Sequence, residues 1–123
     1  MYSFPFEKLE AWQDAKKLVI DIYATTKIFP DAEKFGLINQ INRAAVSIAS
    51  NLAEGSSRMS MKDQAYFSQL AYSSLMELAC QIAIAKELNL LNGERYDSLR
   101  RDIEVLSKKL NALRHSQIKR AAK

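Results

Sequence analysis

The chain has 123 residues, of which 48% are hydrophobic and 26% are charged, and this composition is that of an ordinary globular protein. Three glycines and two prolines are too few turn-forming residues for a fold of many short strands, and one cysteine excludes a disulfide framework within the chain. We therefore expect one domain, residues 1–123, built from a few long helices.

The first helix is predicted over about residues 7–28. Apolar side chains recur there at helical spacing and form one face, with charged side chains on the other. The residues of the predicted inner face are Leu9, Trp12, Ala15, Val19, Ile22, Tyr23 and Thr26. Pro30 ends this helix, because a proline disfavours a helical conformation in the residue before it, and Asp31 is predicted to cap the next helix.

The second helix is predicted over about residues 32–54, with an inner face of Ile41, Ala44, Ala45, Ile48, Ala49 and Leu52. Gly55 follows at the end, where a glycine can take the left-handed conformation that terminates a helix. Polar side chains at steps of three and four form a line along the same helix. They are Gln40, Arg43, Ser47, Asn51 and Glu54.

The third helix is predicted over about residues 61–89, with Ser60 as its N-terminal cap. Its expected inner face contains Tyr66, Phe67, Leu70, Ala71, Ser74, Leu78, Ile82 and Ala85. The fourth helix is predicted over about residues 93–116, with Asn92 as its cap and a basic tail of residues 117–123 after it. Its apolar positions alternate by three and four, which is typical of a bundle seam: Tyr96, Leu99, Ile103, Leu106, Leu110 and Leu113.

Short connections between long helices make sequential neighbours antiparallel. The predicted fold class is therefore all-α, an antiparallel up-down-up-down four-helix bundle.

Arg43 and Glu77 are each the only charged side chain in a long stretch of their helices, between Lys34 and Glu54 and between Asp63 and Lys86. Because an unpaired buried charge is costly, we predict that the two pair, with Ser47 and Asn51 completing a structural polar cluster that also includes Glu54. The alternative interpretation is a ligand site along the polar line. The nearly uncharged second and third helices also predict a homo-oligomer that covers these surfaces.

Positive charge is concentrated at the end of the chain. The formal net charge is +4, but residues 1–92 carry 9 basic and 10 acidic side chains, whereas residues 93–123 carry 9 basic and 4 acidic ones. Such asymmetry favours a polyanionic partner or, alternatively, a solvated tail. The candidate phosphate contacts are Lys108, Lys109, Arg114, Lys119 and Arg120.

No constellation of residues supports catalysis, and we expect no enzyme, no cofactor and no metal. The single histidine, His115, and the single cysteine, Cys80, are too few for a zinc site or for the Glu-x-x-His pairs of a di-iron bundle. Cys80 is interpreted as a small core residue. No segment is apolar enough to span a bilayer and no signal peptide is recognisable, so we expect no membrane association and a cytoplasmic location.

Several motifs lie along the chain from Phe6 to about Leu113. They are Leu9-x-x-Trp12, Phe29-Pro30-x-x-Glu33-x-Phe35-Gly36-Leu37, Gln40-Ile41-x-Arg43-Ala44, Ser47-Ile48-x-x-Asn51-x-Ala53-Glu54-Gly55 and Ser74-x-x-Glu77. Together they resemble the 23S rRNA intervening-sequence proteins, which are small bacterial four-helix bundles related to the accessory variability determinant protein of diversity-generating retroelements. The resemblance implies a homopentameric ring, which in the accessory protein has a basic surface and engages a reverse transcriptase and nucleic acid.

The sequence therefore favours a non-enzymatic homo-oligomer, pentameric according to the resemblance, that binds RNA, DNA or a nucleoprotein partner such as a reverse transcriptase through a basic surface on the fourth helix. The alternative is an oligomeric scaffold whose partners are proteins alone. In that case the basic tail serves only solubility.

Overall fold

Four long helices make up the fold in a computed structural model that describes all residues, 1–123. They are α1 (Glu10–Thr26), α2 (Leu37–Ser56), α3 (Met61–Glu87) and α4 (Gly93–Ala121). Short 3₁₀ turns precede α1 at Pro5–Lys8 and α2 at Asp31–Glu33. The predicted all-α four-helix class is confirmed.

Each helix packs against its neighbours in the chain, and α1 also packs against α4, which closes the bundle. The diagonal pairs, α1 with α3 and α2 with α4, lie across the core from each other. Each helix contributes a buried stripe with steps of three and four residues, which keeps one face of a helix turned inward. On α3 this stripe is Ser68, Ala71, Leu75, Leu78, Ile82 and Ala85.

The bundle seam predicted for the fourth helix is confirmed. Its four central apolar residues are buried, and Tyr96 and Leu113 pack against the same core at its two ends. By contrast, Tyr23 and Tyr66 were expected inside and both are exposed, Tyr66 by 60%. Tyr23 follows the buried Ile22 by one residue, and Tyr66 precedes the buried Leu75 by about two and a half turns, so both tyrosines point away from the core.

The caps predicted for α3 and α4 are present, but the cap predicted for α2 is wrong, because Asp31 lies in the 3₁₀ turn and Gly36 is the N-cap of α2. The backbone N–H of Asp63 donates to Ser60 Oγ at 3.1 Å, and the backbone N–H of Arg95 donates to Asn92 Oδ1 at 2.8 Å. The end of α3 is a Schellman motif around Asn89, which has a φ of 61°. Leu90 N–H donates to the carbonyl of Ala85 and Asn89 N–H to that of Lys86, which satisfies two terminal carbonyls.

Two predicted helix boundaries are wrong by several residues. The helix α2 begins at Leu37 and not near residue 32, because Gly36 precedes it as a non-helical N-cap with φ −112° and ψ −108°. The tail was expected to leave the helix after residue 116, but α4 continues to Ala121. It remains helical because Gln117 is buried against α3, where it accepts a hydrogen bond from Ser68.

Gly55 does not end α2 in a left-handed conformation, as the sequence suggested. It lies within the helix, is buried, and has a negative φ. A Cβ at this position would lie 2.7 Å from Cβ of Phe67 on α3. The glycine is therefore required because α2 and α3 approach each other closely, and not because of backbone torsion.

Candidate functional site

The five basic residues predicted as phosphate contacts all lie on α4, but they are not equivalent. Lys109 is half-buried between α4 and α1, where its Nζ contacts Glu10 Oε1 at 2.7 Å and Asp14 Oδ2 at 2.5 Å. The hydrogen bonds to Asp14 and Glu10 raise the pKa of Lys109 above its usual value of 10.5. This lysine joins two helices and uses two of its three ammonium hydrogens within the bundle.

Arg114 is likewise occupied within the bundle. Its Nη1 donates to Gln69 Oε1 on α3, and its Nη2 donates to Asn111 Oδ1 at 3.0 Å. The guanidinium lies 5.2 Å from the centre of the Tyr72 ring, which is a cation–π distance. Through Gln69 and Tyr72, Arg114 links α4 to α3.

The other three cations are exposed. Lys108 is 76% exposed and lies 3.5 Å from Glu104 one turn earlier, a solvent-screened pair of little strength. Lys119 and Arg120 are exposed in the last turn of α4 and form no ion pair. No acidic side chain follows Glu104, so basic side chains dominate this end of α4.

The predicted pairing of Arg43 with Glu77 is wrong within a single chain. Both side chains are exposed, so no buried charge has to be neutralised, and no ion pair joins them. Glu77 instead accepts from Gln81 Nε2 at 3.1 Å. Glu54, the other acid of the predicted cluster, lies at the surface and pairs loosely with Arg58 at 3.9 Å.

The small polar residues of the predicted cluster do come together. Ser47 Oγ on α2 and Ser74 Oγ on α3 share a hydrogen bond of 2.8 Å. Asn51 Nδ2 donates to the carbonyl of Ser47 at 2.9 Å and to its Oγ at 3.1 Å. These bonds connect α2 to α3 along the groove between the two helices.

Gln81, on the same side of α3 as Ser74, was missed by the sequence analysis. It is only 6% exposed, and its Oε1 is buried with no hydrogen-bond partner. A buried acceptor without a donor costs about 1–3 kcal/mol of stability. The sequence does contain a signal for Gln81, because it lies one helical turn after Glu77, the only charged residue in this stretch of α3.

A polar cavity at one end of the bundle was also missed. This end pocket has a volume of about 230 Å³ and lies where the start of α1, the end of α2, the start of α3 and the end of α4 meet. Its polar lining residues are Asn51, Ser56, Gln64, Ser68, Ser116, Gln117 and Arg120. No acidic residue lines it.

Nothing in the structure resembles a metal or redox centre. No group of three or more His, Cys, Asp or Glu side chains is close enough to hold a metal ion. Cys80 is exposed on α3, so its interpretation as a core residue is wrong. None of the four helices has a stretch sufficiently long and apolar to cross a lipid bilayer.

Residues 7–112 match the family described as 23S rRNA-intervening sequence protein. The chain belongs to this family. A solved structure with a similar fold is described as a protein of unknown function from the S23 ribosomal protein family of Bacteroides thetaiotaomicron VPI-5482. It shares 20% sequence identity with a TM-score of 0.78, over 84% of this chain and 96% of that one.

This intervening-sequence protein has no sequence match among curated proteins. At 20% identity the solved structure supports the fold alone. The family and that neighbour carry no known activity, so function has to be argued from the surface of this chain.

Proposed function

We propose that this intervening-sequence protein is a non-enzymatic homo-oligomer that binds RNA or a nucleoprotein through the exposed cations at the end of α4. The observation that carries the proposal is the exposure of Lys119 and Arg120, without an acidic partner, on a helix with no carboxylate after Glu104. Lys108 extends the same basic helix. Oligomerisation would repeat this charge several times on one particle, which raises affinity for a polyanion.

Lys109 and Arg114 have a different role in this proposal. Their contacts with α1 and α3 hold α4 in position, so they set the direction of the basic end without binding phosphate themselves. Sequence-independent phosphate binding needs only exposed lysines and arginines, and no aromatic platform accompanies Lys119 and Arg120.

The oligomer is proposed to form through the outward face of α2 and α3. This face bears exposed apolar side chains, among them Val46, Tyr66 and Ile84, and only two charges along the middle of the two helices, Arg43 and Glu77. Arg43 and Glu77 have opposite charges, and neither forms an ion pair within its own chain. In the proposed oligomer, Arg43 of one copy pairs with Glu77 of the next.

The oligomer is tested by sedimentation velocity. Five copies of the 14.0 kDa chain, the number implied by the resemblance, would have a mass of ~70 kDa. Arg43→Glu should dissociate the assembly, and the double variant Arg43→Glu/Glu77→Arg should restore it. A monomer at micromolar concentration, or dissociation that the double variant does not reverse, would contradict this interface.

RNA binding is tested by fluorescence anisotropy with a structured RNA over a salt series. The logarithm of the affinity should fall linearly with the logarithm of the salt concentration, by roughly 0.7–0.9 per phosphate contact. Lys119→Gln/Arg120→Gln should therefore reduce the slope by about 1.4–1.8 for each chain that contacts the RNA.

The matched control is Lys16→Gln/Lys17→Gln, which removes the same charge from exposed positions on α1. If both double variants weaken binding equally, net charge and not the end of α4 attracts the RNA. Absence of binding at low salt would favour the alternative, an oligomeric scaffold for protein partners.

A further inference from the structure

The end pocket is lined by polar side chains, and several of their hydrogen-bonding atoms have no partner within the chain. Gln117 is only 7% exposed, and its Oε1 accepts from Ser68 Oγ at 2.7 Å while its Nε2 has no partner within the chain. Asn51 uses its Nδ2 for Ser47 and leaves Oδ1 free. Ser116 is half-buried and also lines the cavity, and its hydroxyl makes no hydrogen bond.

These groups offer both donors and acceptors in a small space. Gln64 adds a further acceptor, because its Nε2 donates to the carbonyl of Arg58 and its Oε1 is free. Side-chain amides are the groups that pair with the edges of nucleobases, since each presents a donor and an acceptor in one plane. Apolar contact is available from Leu9, Leu52 and Leu113.

The size and charge of the cavity restrict its ligand. A volume of about 230 Å³ is below the roughly 300–1,000 Å³ of pockets for larger ligands, so it suits a single heterocyclic ring. Arg120 is exposed at the lining and no carboxylate opposes it. An anionic group attached to the ring would therefore be attracted to the guanidinium.

We propose that the end pocket binds one nucleotide, with the base inside the cavity and the phosphate at Arg120. The nucleotide is either a free nucleoside monophosphate or an unpaired nucleotide of an RNA chain. In the second case the inference rests on the proposed function and deepens it, because the protein then recognises an unpaired base beside the basic end of α4. The helical extension of α4 to Ala121 positions both Gln117 and Arg120.

The test is isothermal titration calorimetry of the full chain. The ligands are the four nucleoside 5′-monophosphates, ribose 5-phosphate, a single-stranded RNA and a blunt RNA duplex. Ser116→Leu fills the cavity without changing the net charge, and Arg120→Gln removes the cation from its lining. Lys123→Gln is the control, since it removes the same charge from the end of the chain but not from the pocket.

We expect a monophosphate to bind and ribose 5-phosphate, which lacks the base, not to bind. Losing two or three base hydrogen bonds in Ser116→Leu should weaken binding by at least about tenfold, and Arg120→Gln should weaken it by about three- to tenfold. Lys123→Gln should stay within about twofold of the unchanged protein. Far-UV circular dichroism checks that each variant is folded. If Ser116→Leu does not fold, Arg120→Gln still tests the pocket, because Arg120 is exposed and its substitution does not disturb the core.

The ligands also separate the two sources and the two proposals. Binding of single-stranded RNA alone, lost in Ser116→Leu, supports the pocket with RNA as the source. Binding of monophosphates with no binding of either RNA supports the pocket and contradicts the RNA-binding function. Salt-dependent binding of both RNAs that Ser116→Leu does not change, with no binding of monophosphates, overturns the pocket and leaves the proposed function standing.

Discussion

Gly55→Ala is predicted to destabilise the bundle, although alanine is the better helix former. The new Cβ would lie 2.7 Å from Cβ of Phe67, whereas carbon atoms in contact prefer about 3.5–4.0 Å. Both Cβ atoms are fixed by their backbones, so no rotamer change relieves the overlap. Instead α2 and α3 would have to separate locally by roughly 1 Å, in a core that is closely packed.

The net effect is the difference between two opposing terms. Overpacking a core costs about 1–3 kcal/mol, and the upper part of this range, about 2–3 kcal/mol, applies here because no rotamer change relieves the overlap. Replacing glycine by alanine inside a helix returns about 1 kcal/mol. We therefore expect a net loss of about 1–2 kcal/mol in the free energy of unfolding. For a chain of 123 residues this corresponds to a decrease in Tm of about 3–10 °C.

Urea unfolding followed by circular dichroism measures this loss, at a fixed protein concentration because the proposed oligomer would make stability concentration-dependent. Gly93→Ala is the control. A Cβ there meets only Lys86 Cε at 3.9 Å, the mobile end of a long side chain, so stability should be unchanged or slightly raised. If Gly55→Ala is as stable as the unchanged protein, the close approach of α2 and α3 is not the reason for the glycine.

Three further substitutions test other contacts. Leu110→Ala should cost about 2–5 kcal/mol in urea unfolding, because Leu110 is fully buried in the core and truncation leaves a cavity. Ser68→Ala should cost about 1–3 kcal/mol, because it leaves the buried Gln117 Oε1 without its donor. The folded-state pKa of Lys109 is raised above 10.5, so its stabilising contribution is complete below the pKa of the unfolded chain and is lost as pH rises through the higher folded value. Lys109→Met should therefore reduce the loss of stability at alkaline pH, and an unchanged pH dependence would contradict the role of its contact with Asp14.

The sequence predicted the bundle because its apolar periodicity is strong. On α4 the alternating steps of Leu99, Ile103, Leu106 and Leu110 fit only one face, and that face is buried. The helical period predicts burial less well for large amphipathic residues, such as tyrosines, at the edge of the apolar face. Tyr66 fits the same period as its neighbours, but its hydroxyl and ring lie at the surface.

The candidate site was predicted less well, because side-chain partners come from elements that are distant in sequence. Lys109 pairs with Asp14 and Arg114 with Gln69, and no local pattern identifies either partner. Lack of nearby charge was taken as evidence of burial for Arg43, but an exposed face can also be nearly uncharged. The end pocket combines residues of all four helices and has no sequence motif.

The proposed oligomer surface and the proposed nucleotide site occupy different parts of the bundle. Arg43 and Glu77 lie outward near the middle of α2 and α3, whereas Arg120 and Gln117 lie at one end. An assembly through the outward face would therefore leave each end pocket and each basic helix end open, one per chain. A nucleic acid that spans several chains would then gain affinity from each contact, since linked sites bind with a high effective concentration. Dissociation by Arg43→Glu should consequently weaken RNA binding strongly while leaving the affinity for a free mononucleotide unchanged.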